Sequence, residues 1–539
     1  MASRFLEFAK TFLSLKGDFG KSMSEAEMEA TLSGLPLGGV VHALAVLTHR
    51  LDKLKDDKEF HQVLLSELAP GRIRPTVRAA VADGRRVFTS PHVSMRLTLR
   101  ALMCCDASHL DLGLDRSRVP MLGRLLLAEG DLLESVETES QEETLKLMTV
   151  EMARTDLFLR SYAHFAYFEE AFHMFFEVMP RVETNERIVD PTAVFRERTG
   201  LELRAFWALG TTVAVDGLVR EEPPVFPQAI GYGDLASPEL YDRWLDYWGC
   251  GLEHARVLAG EDLAGDSPWS FDAIFEKPLL KLTPDTAFPL RTMYLAEKST
   301  CTGLSWLVGD LIEDDKERKC WRDTCGRAFE AYMQGMVSDQ LHGCSDVWDE
   351  DRISERLGGG KKCDLLAFYN NRAWLAADFV FRTLRKVTKV DGGFDALLTD
   401  LSRSVIEKAD QMDDTLRRAR LELPDPKRIY AIVVIGGAFP KDPMTHYALD
   451  QALRDHSFSV LGESSVCAPL AVMESYEFVL LMRLARLVRR PAFRLLDRWL
   501  SSDMSDMAFT VWLNEKGPKE RPREDTEWLH KMAAWLFEP

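Results

Sequence analysis

The chain has 539 residues, 85 of them acidic and 67 basic, with 46% hydrophobic and 28% charged side chains. That hydrophobic content excludes wholesale disorder, and the length suits two or three domains with substantial cores. A formal net charge of −18 opposes nonspecific attraction to phosphate backbones. Local basic grooves still keep their own field, because the Debye length at cellular salt is about 8 Å.

The longest uninterrupted apolar stretch, Ile429 to Phe439, falls short of the ~20 residues a membrane helix needs, so no membrane association is expected. The N-terminus carries charges where a secretory signal would be apolar. Nine cysteines, an odd number, suit free thiols in a reducing, cytoplasmic setting.

In chain order, residues 1–265 read as mostly helical. Apolar-periodic segments run over Gly39–Lys55, Thr144–Val178 and Leu201–Val219, with turn-rich breaks at Pro70–Pro75, Pro180–Pro191 and Glu221–Pro227. Phe158, Tyr162, Phe165, Phe168, Phe172, Phe175 and Phe176 form an aromatic stripe at helical spacing, which reads as core packing.

Past Pro268 the texture changes. Short β-like runs appear around Ala273–Leu282, and a helix follows over Lys316–Val337. Cys363 to Tyr369 and Ala373 to Phe381 read as two strands joined by the tight loop Asn370-Asn371-Arg372, because asparagine tolerates the positive φ that a hairpin demands. Next come a helix from Phe394 to Arg420 and a buried strand, Arg428 to Ile435, leading into Gly436-Gly437. The expected fold class is mixed: a helical region over 1–265, an α/β domain with a central mixed sheet over 266–480, and a C-terminal helical cap over 481–539.

The hairpin has a chemical consequence. With a three-residue loop, Tyr369 faces Ala373 and Asp364 faces Asp378, and opposed residues on antiparallel strands have Cβ atoms roughly 5 Å apart. Two like charges that close are destabilising unless a cation or a proton sits between them. Paired carboxylates at a sheet end make an oxygen-lined seat for Mg²⁺ or Mn²⁺. Glu330, beside the core-facing Phe329 and Met333 on its helix, is a third candidate, since burying an unpaired acid is costly. Together the three would hold a divalent ion that polarises a phosphodiester and activates water.

These residues carry a resemblance. The run from about Pro278 to Val479 resembles the PD-(D/E)XK nuclease superfamily, the restriction-endonuclease-like fold. Gly326-x-x-Phe329-Glu330-x-Tyr332 resembles its acidic helix, Lys362-Cys363-Asp364-Leu365-Leu366 its strand-opening aspartate, and Ala377-Asp378-Phe379-Val380 stands where its acid-x-Lys belongs. Lys408-Ala409-Asp410-Gln411 resembles the Lys/Gln-bearing helix that often follows.

The resemblance implies Glu330, Asp364 and Asp378 as metal ligands, with Lys362, Lys408 and Gln411 completing a catalytic set. Its departure is Val380, which replaces the lysine that positions water and balances charge. Losing one such electrostatic contact costs about 10²–10³ in rate. Lys361, Lys362, Arg382, Arg385, Lys386, Lys408 and Gln411 are the candidates for a relocated group.

With that departure, the resemblance implies a catalytically degenerate nuclease fold serving as a binding or scaffold component of a prokaryotic nucleic-acid-processing or antiviral defence system. One alternative is an active Mg²⁺- or Mn²⁺-dependent DNA or RNA endonuclease with a migrated basic residue. The other is a helical protein-interaction protein with no nuclease kinship. The acidic surface suits a protein partner or self-association better than grip on bare DNA.

Other signals carry less. Arg483, Arg486, Arg490, Arg494 and Arg498 would share an arc of about 120° on one continuous helix and could contact phosphates, with Leu484, Leu487, Leu495 and Leu496 on the buried side and Pro491 as a kink. Gly358-Gly359-Gly360-Lys361-Lys362 lacks the spacing of a phosphate loop and reads as a flexible, basic flap before the hairpin. Cys320, Cys325, His342, Cys344 and Cys363 cluster in sequence without the paired CxxC knuckles of structural zinc.

Overall fold

The computed structural model describes residues 11–537 apart from 55–56, 70, 134–139, 161–164, 183–187, 227–236, 266, 383 and 523–526. In the first half, the helices α1 (Leu37–Leu54) and α2 (Pro91–Cys104) pack together around Leu44, Leu51, Leu97 and Leu99. The same core takes in a three-stranded sheet. There β1 (Gly249–Gly251) runs parallel to β2 (Leu279–Thr283), which pairs antiparallel with β3 (Thr286–Pro289). The expected β-like run at Ala273–Leu282 is therefore strand only from Leu279. Its start is a helical turn, Asp272–Phe275, because the Asp262 carboxylate accepts the Asp272 and Ala273 N–H groups and caps it.

The expected helix Thr144–Val178 is interrupted. It ends at Phe158, whose carbonyl is taken by the buried Arg291 guanidinium, itself paired with Asp52 at 2.7 Å. Helix resumes at Ala166–Phe172 and closes in a π-helical turn, His173–Val178. The aromatic stripe divides accordingly. Phe168, Phe172 and Phe175 are buried in the central core, Phe165 and Phe176 pack on its edge, and Phe158 stacks on Trp269 in the first core. Tyr162 lies outside the described residues.

The second half is built on a five-stranded mixed sheet. Along the chain come α3 (Asp315–Gln340), β4 (Asp346–Asp349), β5 (Leu365–Phe368), β6 (Trp374–Phe381), α4 (Glu407–Glu422), β7 (Ile429–Gly436) and β8 (Ala471–Glu474). Their spatial order is β8-β7-β6-β5-β4. β4, β5 and β6 are antiparallel neighbours, whereas β6, β7 and β8 are parallel. Helices cover both faces, so β7 is buried along its whole length and reads as one apolar run. On one face, Ala377, Phe379, Ile432 and Val434 meet Phe329 and Met333 of α3. On the other, Ala376, Val433 and Ile435 meet Val405, Met412 and Leu416.

The hairpin takes the register its loop implies. Leu365 faces Ala377, Phe368 faces Trp374, the Tyr369 N–H donates to Ala373 at 2.9 Å, and Asn370 has φ +54°. The Phe394–Arg420 segment contains a π-helical turn at Ser402–Ile406 before α4.

The C-terminal arginine stripe is not continuous. Helix α5 (Ser475–Leu487) stops at a turn in which Arg489 takes φ +51°, and α6 (Ala492–Leu500) restarts after Pro491. Arg483 turns inward onto Glu169, and Leu487, expected on the buried side, is 47% exposed.

Candidate functional site

Asp378 sits within β6, 0% exposed, and Asp364 immediately precedes β5 in the position opposite it. One Asp364 oxygen accepts the Phe379 N–H at 2.6 Å, which fixes that carboxylate against the neighbouring strand. Lys408, on the first turn of α4, places Nζ 2.7 Å from Asp378 Oδ1. Asp378 also hydrogen-bonds the Asp364 carboxyl, so the two acids and the ammonium form one group. Helix α4 is held in place by Thr415. Its hydroxyl donates to the Gln411 carbonyl at 2.8 Å and accepts the Cys363 N–H at 3.0 Å, tying the helix to the residue before Asp364.

Glu330 reaches the same region from α3 on the opposite face. Close approach there depends on Gly436, where a Cβ would meet the Phe329 ring at 2.6 Å. The electrostatics follow from burial. Desolvation pushes Glu330 up to about 7, and the nearby Asp364 charge adds to this. Burial raises Asp364 as well, opposed by Lys408 and the Phe379 N–H. Asp378 is raised furthest, by burial and by Asp364. Burial disfavours the Lys408 charge, but Asp378 and Asp364 outweigh it, so the ammonium is retained. Three acids thus share one cation, and a proton or a second cation is needed to neutralise them.

The other predicted positions separate from this centre. Lys362 lies 3.7 Å from Glu350, Arg382 donates to the Arg403 carbonyl, and Arg385 pairs with Asp400 at 2.6 Å. Lys361 is exposed, and the side chain of Lys386 lies outside the described residues. The buried side-chain oxygen of Gln411, one turn beyond Lys408, has no hydrogen-bond partner. The glycine loop is not a free flap. The Arg418 guanidinium is hydrogen-bonded to the carbonyls of Leu357, Gly358, Gly359 and Lys361. Cys344 donates to backbone carbonyls, Cys363 is buried in the core that includes Met412 and Leu416, and His342 is exposed.

Among the described residues, no three His, Cys, Asp or Glu side chains stand close enough to hold a metal ion as placed. The donor chemistry nevertheless suits a hard divalent cation: carboxylate oxygens only, with Asp364 and Asp378 both buried.

A second buried ionic cluster escaped the sequence reading because its members are far apart in the chain. Glu474, at the end of β8, pairs with Arg160 and lies 3.3 Å from Lys441, which is 2.7 Å from Glu477. Arg160 also lies 3.6 Å from Asp156, so two cations here meet three acids, each paired. Burial opposes the Glu474 charge, but Arg160 and Lys441 hold its carboxyl below the usual range.

No family model, curated protein or solved structure matches the chain. No helix among the described residues is long and apolar enough to cross a membrane.

Proposed function

We propose that the chain is a PD-(D/E)XK-like phosphodiesterase acting on nucleic acid, in which Lys408 supplies the positive group that position 380 lacks. The observation that carries this reading is the Lys408–Asp378 contact at 2.7 Å, made inside a buried group of acids. The order helix, three antiparallel strands, helix, parallel strand supports it. Val380 taken alone favours a scaffold role. A lysine delivered to the acid two residues earlier weighs toward catalysis.

Glu330, Asp364 and Asp378 would hold a Mg²⁺ or Mn²⁺ ion, which when bound supplies Lewis-acid polarisation of the phosphodiester and a more acidic water. The chain's own residues do the rest. The Phe379 N–H fixes one oxygen of Asp364 and so orients that carboxylate beside Asp378. Lys408, 21% exposed, keeps its proton and provides a fixed positive charge where negative charge develops on the phosphorane oxygens. Burial of Asp378 removes competing water, which strengthens these interactions.

The test is cleavage of plasmid, linear duplex and single-stranded substrates with Mg²⁺ or Mn²⁺. Activity that disappears in Asp364→Ala and in Lys408→Ala supports the reading. Absence of cleavage with every metal and substrate overturns it.

A further inference from the structure

We propose that the arginine turn joining α5 to α6 is a surface that grips a nucleic-acid phosphate backbone, separate from the carboxylate site. Arg486, Arg489, Arg490 and Arg494 are exposed within this short stretch, on a protein whose net charge is −18. The guanidinium groups of Arg486, Arg489 and Arg490 make no ion pair or hydrogen bond among the described residues, and Arg494 overlies the Phe493 ring at 5.2 Å, near Tyr430. Elsewhere the chain's arginines are commonly engaged: Arg420 holds both Asp425 and Glu463, and Arg352 holds Asp346.

Two of these arginines stand where local stability opposes them. Arg489 occupies the left-handed residue that ends α5, with φ +51°, and its neighbour Arg490 donates back to the Ala485 carbonyl to close the turn. Glycine is the favoured residue there, and a side chain with a Cβ pays a conformational penalty. Arg494 lies in the first turn of α6, where the helix dipole disfavours a cation. Arg486, in the last turn of α5, is explained by the dipole alone. Arg489 and Arg494 are not, and an anionic ligand accounts for both.

The turn is anchored to the hairpin-loop end of the sheet. Phe493 packs on Tyr369 at 5.0 Å and on Tyr430 at 5.9 Å. Arg428 stands at the same end of the sheet, its carbonyl accepting the Trp374 N–H at 3.0 Å and its guanidinium donating to the Ser464 carbonyl at 2.9 Å. The Asp497 carboxylate accepts the Tyr430 hydroxyl at 2.8 Å, and Glu169 is occupied by Arg483. Asp378 lies four residues along β6 from Trp374, a rise of about 13 Å. An all-arginine surface favours phosphate, whose oxygens match the guanidinium fork.

The choice of nucleic acid over other anions rests on the nuclease reading, and the experiment lets the two fail separately. Fluorescence anisotropy of a labelled DNA duplex is followed in EDTA between 50 and 200 mM NaCl. For Arg486→Gln/Arg490→Gln/Arg494→Gln the magnitude of the log–log salt slope falls by about 3. Arg489→Gly weakens binding while raising the melting temperature, an opposition a purely structural arginine would not give. Unchanged affinity and slope in the triple variant overturns the proposal, as does equal competition by polyglutamate. Arginine-dependent binding without cleavage in Mg²⁺ or Mn²⁺ sinks the nuclease reading and keeps this surface. Cleavage by the triple variant with wild-type binding does the reverse.

Discussion

Lys408 contacts Asp378 from a helix, although Val380 occupies the same-strand position from which a lysine would reach the same acid. Lys408→Ala is expected to lower cleavage by about 10²–10³. It also strands buried carboxylates, a loss of about 3–5 kcal/mol on denaturant unfolding. Val380→Lys placed in the Lys408→Ala background should recover part of the activity. Recovery of stability with no recovery of cleavage would mean that the lysine is only a structural counter-ion.

The acids give a signed pH dependence. Glu330 ionises near 7 when folded and near 4.5 when unfolded, so the folded state holds the extra proton between those values. Its contribution is full below about pH 4.5 and is lost as pH rises through about 7, a fall of up to roughly 3 kcal/mol. Asp364 and Asp378 are shifted in the same direction. Glu330→Gln should flatten the decline in thermal stability between pH 5 and 7.5. Mg²⁺ should raise the melting temperature more at pH 8 than at pH 5.5, because only the ionised acids bind it.

Gly436 sets how closely α3 lies on the sheet. In Gly436→Ala the new methyl group would strike the Phe329 ring, with a cost of about 1–3 kcal/mol. Since Glu330 adjoins Phe329, cleavage should fall more steeply than stability. A thermal melt paired with an activity assay at saturating Mg²⁺ checks this.

Arg418→Ala should release the carbonyls of the 357–361 loop, at about 1–2 kcal/mol in overall stability. Hydrogen exchange in that loop should rise while exchange in β6 stays slow. Equal loosening of both would show that the arginine supports the whole sheet.

Much of the hairpin was legible because a three-residue loop dictates its register and Asn370 marks the left-handed residue. The carboxylate pair followed directly from Asp364 and Asp378 facing one another. Lys408 was harder to single out among the basic candidates. Its direction depends on how α4 lies on the sheet, and the π-helical turn at Ser402–Ile406 rotates the side chains after it relative to an uninterrupted helix. Helical periodicity failed where tertiary contacts ended helices: at Phe158, whose carbonyl Arg291 takes, and after Leu487, where Arg489 turns the chain. The Arg160–Glu474 pair leaves no local pattern to read.

That pair also constrains how the protein can be made. Phe172 and Trp207 are covered by the rings of Trp528 and Trp535, and the Arg160 guanidinium pairs with Glu474. Until Glu474 and Trp528 have been made, the early aromatic helices lack that cover, and the Arg160 guanidinium has only the less buried Asp156, 3.6 Å away, as counter-charge. The central core is therefore completed only after Trp528 has emerged, and premature stops upstream of Trp528 would yield sticky, chaperone-dependent fragments.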